Sequence, residues 1–359
     1  MDLLIRKNIE NPNKTRMENK RIYFLDLIKF IAAITIALYH YGQRFNSEFI
    51  FDMRIDLVVE LFFFISGFIE HTKASEERIH NFIINKIIRI FPMVIISTTF
   101  AYVTCCLFNL TNTSWIEDTT SFFIYICNCL LLFQNGIFNL NFFGVNNPIW
   151  YLSALFVIYI IYYLIEIVSK KTNTNKIYWY ILLIVMYIYI GTNNLGYPLF
   201  NSKLVGIIPF FVGCIVSSYN KNHQGPVISI VSLSCLVLIL ICCCYANINV
   251  LLNMRYLFTF IICPLFILFG LNSNFIKKIT QHKIIGELGK ISFEIYLWHT
   301  PIYRIFYLIF SSTSSLNPNS AVVMTICIII MLIWTILMFY FVEKPISRKL
   351  NSIKIINRA

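Results

Sequence analysis

An apolar stretch near the start of the chain, RIYFLDLIKFIAAITIALYHYG, carries three ionisable side chains: Asp26, Lys29 and His40. A charge inside a membrane span costs several kcal/mol unless it is paired or faces water, so such residues are candidates for chemistry. Asp26 and Lys29 are three apart, share a helix face and can neutralise one another. Lys29 and His40 are eleven apart. At 100° per residue this is about 20° past three full turns, so the two share one stripe, separated by roughly 16 Å along the axis. A cation at one end of the stripe suits a phosphate-bearing ligand. An imidazole at the other, with an ordinary pKa of about 6.5, suits proton transfer. The structural alternative is that Lys29 snorkels to one membrane interface while His40 sits at the other.

Further segments carry similar residues. In RIDLVVELFFFISGFIEH, Asp56 and Glu60 are four apart on one face. Asp56 falls at the edge of the apolar run, as an interfacial residue would, and Glu60 lies deeper, where that account does not suffice. Ser66 and Gly67 in the same run permit close approach of a second helix. In NKIIRIFP, Lys86 and Arg89 lie three apart on one face just before Pro92. Two cations on one face suit a phosphate, although anchoring at the inner surface is the commoner role. ISFEIYLWHTPIYRIF holds Glu294, His299 and Arg304, with His299 a second-rank candidate beside Ser66. FVEKPISRKL closes the apolar region with Glu343 and Pro345, for which a capped helix end is a sufficient account.

The elements that must position these residues follow from composition. The chain has 359 residues, 58% hydrophobic and 13% charged, with 33 Phe, 21 Tyr and a mean hydropathy of +0.71. Soluble domains carry about 25% charged residues. These values exclude a disordered chain, a disulfide scaffold and an ordinary soluble enzyme, and point to an all-α polytopic membrane bundle. Ten spans are expected, at roughly 22–42, 55–70, 89–109, 149–169, 177–192, 204–219, 226–246, 256–271, 291–311 and 321–342. A shorter apolar run, 121–133, ends in the uncharged QNGIFNLNFFGVNNP. If it does not cross, most of the 29 Lys and Arg residues fall on the side of both termini, and Arg44, Arg54, Lys203 and Arg255 fall opposite. The positive-inside rule favours that arrangement, with both termini cytoplasmic and 121–148 an outer interfacial or re-entrant element. Irregular backbone at membrane depth must be buried in protein or line a wet cavity.

The remaining features bound the function classes. The net charge of +12 is spread through short gaps between apolar runs, not gathered on one face, so nucleic acid is not an expected partner. The eleven cysteines all lie in apolar segments without paired CxxC spacing or a nearby histidine set, so they read as small hydrophobes and no metal site is expected. The polar stretch before the first span is too long for an ordinary signal-peptide n-region. The expected organisation is an N-terminal cytoplasmic tail over 1–21, a transmembrane domain over 22–343 and a basic tail over 344–359.

Together these motifs resemble the acyltransferase-3 family of bacterial integral membrane O-acyltransferases, of the O-antigen and cell-wall polysaccharide acetylase type. Lys29 and His40 resemble its Arg/Lys, ten residues, His pattern, preceded by Arg21 and Asp26. Glu60, Leu61, Phe62, Phe63, Ser66, Gly67 and Phe68 resemble its acidic-LFF-x-x-SGF stretch. Lys86, Arg89, Ile90 and Pro92 resemble its basic-x-x-Arg-Ile-x-Pro element. Ile291, Ser292, Tyr296, Leu297 and His299 resemble its IS-x-x-x-YL-x-H segment, and Glu343 with Pro345 its closing E-x-P. One departure is the run from Trp150 to Phe156, which lacks the two carboxylates that some members carry there. Only sixteen residues follow Glu343, so the expectation is the membrane module without an appended esterase-like domain.

The resemblance implies transfer of an acyl group, most often acetyl, from acyl-CoA to a hydroxyl of a surface polysaccharide or polyprenyl-linked sugar in the bacterial inner membrane. Acetyl-CoA or another acyl-CoA would be the donor substrate, with no tightly bound cofactor. His40 and Glu60 would be catalytic, Lys29, Lys86 and Arg89 would bind acyl-CoA, and Ser66, His299 and Asp26 would support. Two other classes compete. A polyprenyl-linked glycan flippase or polymerase would need a wide polar cavity and cationic outer loops. A small-molecule transporter would favour inverted repeats, and no internal repeat is evident.

Overall fold

The computed structural model describes residues 21–45, 55–72, 79–107, 122–130, 145–192, 206–245, 254–312 and 317–356. The expected tail before Arg21, the Asp56 side chain and residues 131–144 of the expected re-entrant element lie outside the described residues. Among the described residues every regular element is helical. The order is α1 (Tyr23–Phe45), α2 (Ile55–Thr72), α3 (Ile79–Leu107), α4 (Phe122–Cys129), α5 (Ile149–Lys171), α6 (Lys176–Thr192), α7 (Ile207–Asn222) and α8 (Pro226–Tyr245). There follow α9 (Met254–Leu257), which passes through a π-helical turn (Phe258–Ile262) into α10 (Cys263–Asn272), then α11 (Asn274–Thr280) and α12 (Lys283–Ser312). Last come α13 (Ala321–Met338), a second π-turn (Phe339–Glu343) and α14 (Lys344–Ile356).

Helix lies in each of the ten segments expected to span. Among the described residues, five helical stretches are long and apolar enough to cross a membrane: Tyr23–Phe45, Asn81–Cys106, Ile149–Lys171, Arg255–Asn272 and Ala321–Leu350. Neither α2 nor α12 is among them. The reason is chemical: α2 carries Asp56, Glu60 and Glu70, and α12 carries Glu287, Glu294 and Arg304 among others, which dilute their apolarity. These helices also hold much of the candidate chemistry. Among the described residues of the run at 121–133, α4 spans eight residues. At 1.5 Å per residue that is about 12 Å, well short of a hydrocarbon core of about 30 Å.

Two helix pairs frame the interior: α1 lies along α12, and α2 lies along α7. Gly67 and Gly213 set the second contact. A Cβ on Gly67 would fall 1.9 Å from the carbonyl oxygen of Phe210, and one on Gly213 would fall 2.1 Å from that of Phe64. The close approach expected at Ser66-Gly67 is therefore present, with α7 as its partner. On the first pair, Gly289 of α12 lies where a Cβ would meet the Asp26 side chain at 2.3 Å.

Residues 145–148, the end of the uncharged tail, show how irregular backbone is accommodated. Val145 and Asn146 are fully buried. Pro301 lies inside α12 and has no N–H, which frees the carbonyl of Leu297 four residues earlier. The Asn146 side-chain amide donates to that carbonyl at 3.1 Å. Tyr296 donates its hydroxyl to the Pro148 carbonyl at 2.8 Å. The segment before α5 is thus tied to α12 at two successive residues just before His299.

Asn146→Leu leaves the Leu297 carbonyl buried and unmatched, and is expected to destabilise the protein by about 1–3 kcal/mol, read as a lowered thermal midpoint in detergent. Gly67→Leu must drive α2 from α7 and is expected to cost at least about 2 kcal/mol in the same measurement. An unchanged midpoint in either variant contradicts the contact assigned to it.

Candidate functional site

The Lys29 end of α1 opens into a cavity of about 720 Å³, within the range of small-molecule and cofactor sites. Arg21, Asp26 and Lys29 come from α1 and the residues before it; Phe62, Ser66 and Glu70 from α2; and Lys86 and Arg89 from α3. Tyr151, Leu155 and Tyr159 of α5, Lys290 and Tyr296 of α12, and Glu343, Lys344 and Arg348 from the C-terminal helices complete much of the wall. Seven basic and three acidic side chains line it, so a polyanion is electrostatically welcome there.

The charges are arranged, not merely gathered. Asp26 is buried and holds both Lys29, at 2.7 Å, and Arg21, whose guanidinium also donates to the Gly286 carbonyl at 2.5 Å. Lys29 keeps its chain against protein while its ammonium faces the cavity, and this realises the expected Asp26–Lys29 pair. Lys86 is buried, ion-paired with Glu70 and set 3.8 Å from the Tyr159 ring. Its charge is matched within the protein, which distinguishes it from Arg89, exposed on the same cavity wall. Ser66 lies 3.2 Å from the Tyr151 hydroxyl, deep in the wall.

His40 lines a separate, smaller pocket of about 60 Å³ at the other end of α1, together with Gln43, Arg44, Asn147, Thr300, Tyr303 and Arg304. The ring of His40 stacks on that of His299, with centroids 5.2 Å apart and planes 12° from parallel. His299 is fully buried. Its Nδ1 lies 3.2 Å from the Ile295 carbonyl. A carbonyl can only accept, so Nδ1 carries the proton and Nε2 is left as an acceptor, buried and without a partner. On its other side the His299 ring is 6.1 Å from that of Tyr296, which lines the large cavity. A line of three rings, Tyr296, His299 and His40, therefore separates the two cavities and joins them.

Of the residues singled out in the sequence, Asp26, Lys29, Ser66, Lys86 and Arg89 line the large cavity, and His40 the small pocket with His299 behind it. Glu60 lines neither. Its carboxylate is bound by Arg255 and accepts from the Thr259 hydroxyl at 2.5 Å, which fastens α2 to the first π-turn. Sequence reasoning passed over Glu70 and Tyr159, and gave Tyr151 and Glu343 no place in a site. Glu343, read as a helix end, is turned into the cavity wall by the second π-turn; π-turns are rare and concentrate at functional sites. Beside it, Glu294 accepts from the Trp298 indole N–H at 2.8 Å. Lys344 and Arg348, read as part of a basic tail, also face the cavity.

Comparison with known proteins bears on what this arrangement is for. Neither curated proteins nor solved structures gave a match. The family model described as an acyltransferase domain matches residues 22–340, nearly the whole chain and every residue of both cavities from Ile22 to Phe339. With its apolar spans, its basic cavity and its imidazole pair, the chain belongs to the acyltransferase-3 family and is an integral membrane acyltransferase.

Proposed function

We propose that the protein moves an acyl group, acetyl in the first instance, from acyl-CoA to a hydroxyl of a surface polysaccharide or polyprenyl-linked sugar. The observation that carries this reading is that one helix, α1, packed along α12, reaches both cavities. Lys29 faces a large basic cavity, His40 faces a small pocket, and roughly 16 Å of helix lies between them. The basic end faces the cytoplasm, where acyl-CoA is made, in keeping with the distribution of Lys and Arg. The phosphates of coenzyme A bind among Arg89, Lys29, Lys344 and Arg348, while Lys86 holds the wall through Glu70. The pantetheine arm, slender and uncharged, runs between Tyr151, Ser66 and Tyr296 and brings the thioester to the imidazole pair.

The chemistry balances without a further reactant. The acceptor hydroxyl enters from the opposite side and His40 takes its proton as general base. The oxygen attacks the thioester carbonyl, a C–O bond forms, the C–S bond breaks, and the proton passes from the imidazole to the leaving thiolate. His299, with Nε2 bare, backs the ring of His40 and lies nearest the route of the thioester.

Coenzyme A release by the purified protein, with acyl-CoA and acceptor, tests this directly. His40→Ala is expected to lower kcat by about 10²–10⁴-fold with little change in acyl-CoA binding. Full acyl transfer by that variant contradicts the assignment. Arg89→Ala removes a charge-assisted contact and is expected to raise the KM for acyl-CoA about 10- to 100-fold with kcat nearly kept. An unchanged KM places the phosphates elsewhere.

A further inference from the structure

The pocket at His40 contains an electrostatic imbalance that acyl transfer to a neutral sugar does not use. Arg44 and Arg304 both line it and repel one another across it. Arg304 is only 4% exposed. One of its guanidinium nitrogens meets the Cys105 sulfur at 3.2 Å, and a thiol is a weak acceptor. Arg44 is stacked 4.4 Å from the Tyr307 ring, while its Nε and one terminal nitrogen are buried without a hydrogen-bond partner. Among the described residues no carboxylate lines this pocket. Among the described residues, other cations held within the bundle have an acid: Asp26 for Arg21 and Lys29, Glu70 for Lys86 and, away from both cavities, Glu60 for Arg255. Two guanidinium groups sharing a small pocket, Arg44 with two buried and unmatched nitrogens, are costly unless an anion comes between them.

We infer that the acceptor carries an anionic group, a carboxylate or a phosphate, which seats between Arg44 and Arg304 and thereby presents a neighbouring hydroxyl to His40. This rests on the reading of the His40 end as the acceptor side. The geometry supports it in two ways. Arg44 is one helical turn from His40 on α1, so an anion held by Arg44 places atoms a few ångströms away beside the imidazole. The pocket's volume of about 60 Å³ suits a carboxylate or phosphate with the sugar ring remaining at the mouth. Guanidinium binds both anions in a bidentate fork, and Asn147, Thr300 and Gln43 supply neutral hydrogen bonds around it. Acidic sugars and glycosyl phosphates thus become the favoured acceptor classes, and neutral glycans the disfavoured one.

The test uses the full chain in maltoside detergent free of phospholipid, so that lipid headgroups do not supply the anion. Coenzyme A release from acetyl-CoA is measured with methyl glucuronide, glucose 1-phosphate and methyl glucoside. At least one anionic acceptor is expected to exceed the neutral one by tenfold or more in kcat/KM, and the advantage is expected to collapse towards one in Arg44→Gln and to survive in part in Arg44→Lys. Equal rates for all three, or an advantage untouched by Arg44→Gln, overturn the inference while leaving acyl transfer intact. A second readout does not depend on turnover. Methyl glucuronide or inorganic phosphate is expected to raise the thermal midpoint saturably, by an amount reduced in Arg44→Gln. If no acceptor supports coenzyme A release but this shift is present and lost in the variant, the anion site stands and the acyl-acceptor reading fails. If wild type and variant shift alike, or neither shifts, the anion site fails.

Discussion

Charge inside an apolar bundle must be matched by another charge or by solvent, and the α1–α12 contact is built around that requirement. Asp26 is buried against Gly289 with no room for a larger residue, and it draws Arg21 and Lys29 to itself. The trio fixes the rotation of α1. Once α1 is fixed at Lys29, helical periodicity carries the same stripe past the buried Ala33, Ile36 and Ala37 to His40. The Tyr303 hydroxyl donates to the Ala37 carbonyl at 3.0 Å, and Tyr41 donates to that of Pro318 at 3.0 Å, so the far half of α1 is held to α12 and to the turn before α13. The imidazole is thereby aimed at His299 and away from lipid.

The same rule explains why the interior is divided in two. A continuous aqueous channel across the membrane would be a leak as well as a route for substrates. Here the interval is filled by the rings of Tyr296, His299 and His40. The α12 helix can host this arrangement because Pro301 interrupts its hydrogen bonding just beyond His299, and Asn146 supplies the donor that the freed carbonyl needs. The uncharged segment before α5 thus anchors the wall between the compartments and, through Asn147, contributes to the pocket beyond it.

Much of this was legible in the sequence wherever local periodicity was enough. The Lys29–His40 stripe is arithmetic on 100° per residue, and the Asp26–Lys29 pair is an i,i+3 neighbour. Ser66-Gly67 announced a close helix contact without naming α7. The unread part is tertiary. Glu70 and Lys86, Glu60 and Arg255, His40 and His299, and Asn146 and Leu297 meet only because helices distant in the chain pack together, and no spacing within one segment encodes that. Glu343 illustrates a different limit. A single extra residue in a turn, the π-bulge, moves a side chain from an expected helix end into a cavity wall, and that insertion leaves no mark on hydrophobic period. The Arg44–Arg304 pair was visible only as two separate basic residues, one placed in an outer loop and one in a span.

The central claim is that a thioester arriving from the basic cavity meets the imidazole pair. An experimental structure with a non-hydrolysable acetyl-CoA analogue, its thioester sulfur separated from the carbonyl by a methylene, tests this most directly. The account predicts phosphates within contact of Arg89 and Lys29, and the acyl carbon within about 4 Å of a ring nitrogen of His299 or His40, with Tyr296 moved aside. An analogue whose phosphates sit among those cations but whose acyl end lies along Tyr159 or leaves between helices into lipid, far from both imidazoles, would contradict it.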